Sequence, residues 1–180
     1  KPSKVTAAPT FRPTLAEVTS TVVQISATTD LNGVTAAQVD DGMKDAFKEL
    51  TATTLNTNSW NINITSVSDV SVRRLDSASS GLRHLTTTKA RIHFIVVIVL
   101  EQTVFANGSV AVTTYQTALT TTFSQAATAT QLINLAIAHN SQTITSATVL
   151  TIDSPVVSRS FVIIVVQTDS PTSSPQPSEP

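Results

Sequence analysis

No cysteine occurs in this chain of 180 residues. That excludes disulfides, thiolate metal sites and cysteine nucleophiles together. Charge is scarce too: charged residues are 13% of the chain, about half the usual share. The 11 basic and 12 acidic residues leave a net charge of −1, so there is no basic field of the kind nucleic acid needs. Arg73, Arg74, Arg83 and Lys89 do cluster, but in a Ser/Gly-rich stretch that reads as a solvated loop. Aromatics are 4% and glycines number four. No Gly-rich phosphate loop and no serine nucleophile elbow is present. Nor does any apolar run reach the ~20 residues of a spanning helix; residues 92–100 come nearest. The chain opens on Lys1 without a signal-like segment, which reads as a mature or trimmed product.

What fills the gap is serine and threonine, more than a quarter of the chain. Such a surface is uncharged and rich in hydroxyls, which suits an extracellular protein kept soluble in part by attached sugar. The competing reading is a β-rich protein using Thr for its strand propensity. The hydrophobic fraction of 41% is enough for a folded core. With no disulfides, robustness must come from that core, from oligomerisation or from glycans.

Residues 1–16, with Pro2, Pro9 and Pro13, read as an extended arm. Residues 17–29 alternate as a strand with Val23, Ile25 and Ala27 on one face, and Asn32-Gly33 turns the chain. Thr35-Ala36-Ala37-Gln38 is a capping box, and Val39, Met43, Phe47 and Leu50 recur at helical spacing after it. Trp60, Ile62 and Ile64 alternate as a half-buried strand toward Val72, with a register shift near Thr65-Ser66. Residues 73–89 read as a loop, and residues 90–103 as the most apolar and hence central strand. Asn107-Gly108 reads as a loop before a helix carrying Tyr115, Leu119 and Phe123. A second capping box, Thr128-Ala129-Thr130-Gln131, opens a further helix that ends near His139. Residues 143–152 read as a strand, broken by Ser154-Pro155.

The order is β-α-β-β-α-β plus one strand: an α+β chain, a ferredoxin-like plait with an antiparallel sheet, helices on one face and extended termini. The expected organisation is an arm at 1–16, the plait at 17–153, an extra strand at 154–169 and a Pro/Ser linker tail at 170–180. That extra strand, Phe161-Val162-Ile163-Ile164-Val165-Val166, is wholly apolar and mostly β-branched. It reads as a strand buried on both faces. The plait has no internal home for it, so the expectation is donation to a neighbouring subunit. The runner-up has the arm, residues 5–15, pairing into a neighbour while the extra strand stays home.

Val70-Ser71-Val72-Arg73-Arg74-Leu75, a Ser/Gly loop and an apolar strand together resemble a module of heterokont algal cell-surface proteins. The Tyr115-x-x-x-Leu119 helix pattern and the Pro-Thr-Ser flanks are similar to the same proteins. The likeness spans residues 19–153 and implies a cell-surface location rather than an activity. The extra strand departs from that module.

Asn63-Ile64-Thr65 and Asn107-Gly108-Ser109 are N-glycosylation sequons. Thr10, Thr14, Thr172, Ser173 and Ser174 in the flanks are candidates for O-linked sugar, or lie in an unmodified linker. His84, His93 and His139 have no metal-ligand spacing. His93 reads as structural and His139 as a partner of a helix C-terminus. Asp40, Asp41 and Asp45 read as a solvated helix face, with calcium binding the alternative. Gly108-Ser109-Val110-Ala111-Val112 resembles the self-cleaving turn of SEA domains, and Arg73-Arg74 a dibasic processing site. The sequence therefore predicts no enzyme, cofactor, metal, nucleic-acid partner or membrane span. It predicts a structural subunit of a glycosylated extracellular filament or coat, a head-to-tail homopolymer joined by strand donation. The alternative is a monomeric adhesion or binding module cut from a larger surface protein.

Overall fold

The computed structural model describes residues 17–75, 84–100 and 108–168. The arm, the tail, Asn107 and the flanking hydroxyls Thr10, Thr14, Thr172, Ser173 and Ser174 lie outside the described residues. Within them the chain is mixed α and β, with an open antiparallel sheet of five strands and three helices.

The first strand, β1 (Glu17–Asn32), follows its alternation: Val23, Ile25 and Ala27 are buried, while Val22, Gln24 and Ser26 are only partly covered. Gly33 turns the chain at φ 95°. A side chain there would strain the backbone and run into the Val149 carbonyl oxygen. The Thr35–Gln38 box forms, with the Thr35 N–H donating to Gln38 Oε1 at 2.8 Å, but it closes only a 3-10 turn, Ala36–Gln38. The helix proper, α1 (Asp41–Leu55), is capped by Asp40, which accepts from the Met43 N–H at 2.9 Å. Asn56, left-handed at φ 49°, ends it.

Trp60 falls in a second 3-10 turn, Ser59–Asn61, and is exposed rather than in the strand. Strand β2 (Ile62–Leu75) begins after it and shifts register between Ile64 and Ser66, where the sequence suggested. The expected loop at 73–89 is shorter than its composition implied: Arg73 and Arg74 pair with Thr86 and Leu85 as β2 runs into β3 (His84–Leu100). Thr propensity for extended backbone overrides the polarity of the segment.

Helix α2 (Gly108–Phe123) starts at Gly108 itself, so the Gly108–Val112 stretch is helical and not a strained turn. Helix α3 (Ala126–Ala138) starts two residues before the second capping box. Thr128 is therefore inside the helix, and its buried hydroxyl donates to the Thr122 carbonyl at 2.5 Å, tying α3 to the end of α2. The strand expected at 143–152 shrinks to β4 (Thr151–Ile152). The preceding hydroxyls bond local backbone instead, as where the Thr145 N–H donates to Thr148 Oγ1 at 3.0 Å. Strand β5 (Val156–Thr168) ends the described chain.

The sheet order is β2-β3-β1-β4, and β5 pairs with the same side of β1 further along it. Residues 90, 92, 94, 96, 98 and 100 of β3 and 23, 25 and 27 of β1 face the helices in one core. Phe47 of α1 stands edge-on to Phe94 at 5.2 Å and to Phe123 at 5.8 Å, joining sheet, α1 and α2.

Candidate functional site

The intervening residues of β1 and β3 point to the other face of the sheet, which no helix covers among the described residues. Their register gives its composition. Val99 stands opposite Val22, Val97 opposite Gln24, and Ile95 opposite Ser26. On the other side of β1, Val22 faces Ile163, Gln24 faces Phe161 and Ser26 faces Arg159. An apolar end results, in which Val97, Val99, Phe161 and Ile163 are all exposed. A contiguous apolar surface on a sheet marks an interaction site more often than an isolated leucine does.

Strand β5 is exposed on its other face as well. Val162 and Ile164, the partners of Val23 and Thr21, are 42% and 65% exposed. The expectation of a strand buried on both faces is therefore not met within a single chain. Val157 near its start packs against the core, but Val162 and Ile164 further along the same strand stay exposed. The first-choice expectation that this segment leaves its own subunit also differs from the single-chain arrangement, where Phe161 to Val166 pair with Gln24 to Thr19 of the same chain. Its outward edge has no pairing strand among the described residues. Apolar, uncharged and mostly β-branched over residues 161–166, it has none of the usual protection of an edge there.

The opposite end of the open face is polar. Arg91 grips Asp30 through two bonds, Nε–Oδ1 at 2.7 Å and Nη2–Oδ2 at 2.9 Å. Lys89 bridges Asp30 and Asp153, the latter at 3.1 Å. Asn32 donates to Asp153 Oδ1 at 2.8 Å, and the Asp153 N–H donates to the Asp30 carbonyl. Hydrogen bonding from Arg91, against the burial that would raise it, and then from Lys89, lowers the Asp30 carboxyl to a pKa of about 2. This cluster was missed in the sequence; the signal available was an acid in one strand, Asp30, and two bases in another, Lys89 and Arg91, where charge is otherwise scarce. With Thr28 and His93, hydrogen-bonded through Nδ1 at 3.0 Å, it lines a cleft of about 330 Å³. Its charges satisfy one another, so it clasps β1, β3 and the connection between β4 and β5 rather than presenting free acids or bases.

The remaining candidates separate in space. Asp40 is consumed by structure: burial raises its carboxyl, but the Met43 N–H, the Ser141 hydroxyl, the Gln142 N–H and Thr143 together hold it below its usual value. Asp41 and Asp45 pair with Lys44 and Lys48 on the surface of α1. His139 caps α3 and bonds Glu49 of α1 through Nε2 at 2.6 Å. Among the described residues no group of three or more His, Asp or Glu could hold a metal ion, and no helix is long and apolar enough to cross a membrane. Asn63 is exposed at the start of β2. It lines a groove of about 570 Å³ together with Trp60, Asp45, Glu49 and His139. No family model matches the chain, and neither a curated protein nor a solved structure does.

Proposed function

We propose that this chain is a structural subunit of an extracellular, glycosylated filament or surface coat, assembled without covalent links through β5. The observation that carries the reading is the exposure of Phe161, Val162, Ile163 and Ile164 on both faces of an edge strand. Full burial of one such side chain contributes roughly 1.5–3 kcal/mol, so a neighbour covering several of them gains enough to hold a polymer. Exchange would open at the short connection before β5, at the cost of the bonds that hold Asp153 to Lys89, Asn32 and Thr29. Only Asp153, Ser154 and Pro155 separate β4 from β5, and both strands run along the same side of β1. Turned outward at 153–155, β5 would pair with the β1 of the next copy in the same register and with the same hydrogen bonds, so the gain comes from the neighbour's body packing over the exposed side chains rather than from the exchange itself. Such head-to-tail donation does not close on itself and so propagates.

The sheet order, with α1 crossing from β1 to β2 and the α2–α3 pair from β3 to β4, supports reading the body as a ferredoxin-like plait. The hydroxyl-rich composition, the sequons and the likeness to heterokont surface modules support an extracellular location. The proposal assigns no catalysis, because the polar groups that converge satisfy each other.

Light scattering after size exclusion and negative-stain imaging of the full-length chain test the reading. Concentration-dependent oligomers that grow into fibres or sheets are expected. A chain that stays monomeric at high concentration would overturn it and return the alternative of a monomeric adhesion module.

A further inference from the structure

The groove at the start of β2 holds the chain's single tryptophan beside one of its two sequons. Trp60 is 80% exposed, the equal of any large apolar residue in the fold. Neither Trp60 nor Asn63 makes a side-chain hydrogen bond or ion pair within the described residues. They are three positions apart and both line one groove at the edge of the sheet; the pairing of Asn63 with Ile95 puts Asn63 on the open face, so a glycan there reaches the indole around the edge of β2. The groove's wall is α1, where Glu49 holds His139, and Ile62 closes its floor. An indole in water with no cover is costly; evolution ordinarily buries it or puts it to use. The bulge between Ile64 and Ser66 bends the edge strand at the sequon, and Thr65, its third residue, is exposed.

We propose that Asn63 carries an N-linked glycan and that the groove seats it, with the first pyranose rings lying over the Trp60 indole. The chemistry matches the surface. One face of a pyranose presents C–H groups, which are apolar and slightly positive, to the negative face of the ring. The sugar hydroxyls at its rim then meet the carboxylates of Asp45 and Glu49, which are strong acceptors. The seated glycan has a second consequence. Strand β2 is the sheet's other edge without a pairing strand among the described residues, and a bulky hydrophilic group at its start blocks strand addition there. Growth is thereby left to the β5 side alone.

This inference rests on the extracellular reading given above. The test uses the full chain secreted from a eukaryotic host. Peptide mass spectrometry reads occupancy at Asn63, and Trp60, the only tryptophan, reports on the groove by fluorescence. A glycan on Asn63 is expected. Its enzymatic removal should shift the emission to longer wavelength and raise quenching by acrylamide, and Asn63→Gln should do the same. Trp60→Ala should lower the melting temperature of the glycosylated chain and leave that of the Asn63→Gln chain unchanged. An occupied Asn63 with no change in emission or quenching on sugar removal overturns the seat but not the modification. A bare Asn63 in a secreted chain glycosylated elsewhere overturns the inference and leaves the extracellular reading standing. A chain that is neither secreted nor glycosylated anywhere overturns both.

Discussion

Val22 of β1 stands directly across from Ile163 of β5, on the sheet face that no helix covers among the described residues. Val99 flanks Val22 on the other side, so three apolar side chains cross three strands without a roof. Ile163→Lys places a charge in that surface. Losing about half of one apolar burial, ~1 kcal/mol, weakens each subunit contact roughly fivefold, and the buried charge adds more. Sedimentation velocity over a concentration series should show the assembly threshold rising, with the monomer's circular dichroism unchanged. Val149→Lys is the control. Val149 is 80% exposed, but its carbonyl lies against Gly33, just past the far end of β1 from Val22, and its substitution should leave assembly as it was. Equal loss of assembly from both variants would show that β5 holds no special place in the contact.

The Asp30–Arg91 clasp predicts an acid limb in the stability curve. The Asp30 carboxyl titrates at about 2 in the folded chain against an ordinary 3.8. A depressed carboxylate stabilises the fold fully above its unfolded pKa, and that share is lost as pH falls from 3.8 toward 2. A shift of this size corresponds to at most about 2.5 kcal/mol, and water around the partly exposed Arg91 lowers it. Urea midpoints measured from neutral pH down to the acid limit should fall across that window. Asp30→Asn should be less stable at neutral pH and should lose this part of the slope. A variant with an unchanged acid limb would remove the clasp from the stability argument.

Asp40 does two jobs that its neighbour Asp41 does not. It caps α1 through the Met43 N–H and gathers Ser141, Gln142 and Thr143 at the end of α3. Loss of the cap alone costs about 0.5–2 kcal/mol. Asp40→Ala should exceed that range's middle, because the 141–143 turn loses its anchor as well. Asp41→Ala, which breaks a surface pair with Lys44, should cost well under 1 kcal/mol. Thermal or urea unfolding of the two variants separates them. Equal effects would mean that the turn does not lean on the carboxylate.

The periodicities of the strands were legible because each has one buried face. Val23, Ile25 and Ala27 announce β1, and the alternation after Trp60 announces β2 with its shift at Ser66. Helix starts were less legible. A capping box can close a single 3-10 turn, as at Thr35, or sit inside a helix, as at Thr128, since hydroxyl bonding is local and does not know the tertiary fold. Residues 143–150 failed as a strand for the same reason. The apolar run at 161–166 was read as doubly buried, but burial depends on what lies opposite, and Phe161 to Ile164 are exposed within the single chain. The Asp30 cluster and the Trp60 groove needed the register and the turn at Ser59–Asn61 to come together. Neither spacing nor composition carries that information.

Whether β5 is exchanged or stays at home can be decided with one cross-link, because the chain has no cysteine to interfere. Val22→Cys and Ile163→Cys together place two thiols on directly paired positions. Antiparallel partners lie about 4.5–5.5 Å apart at Cα, within the span of a disulfide. Oxidised as a dilute monomer, the double variant should close within one chain. Assembled first and oxidised afterwards, an exchanged strand puts the two thiols on different chains, and a non-reducing gel should show a ladder of covalent multimers. Assembled material that yields only single chains would mean that β5 keeps its own β1 and meets neighbours through its free edge and open face. That outcome ends the donation mechanism while leaving self-association intact. Oxidation before assembly adds a second readout: locking β5 at home should block growth if exchange is the route, and should permit it if the outer edge is.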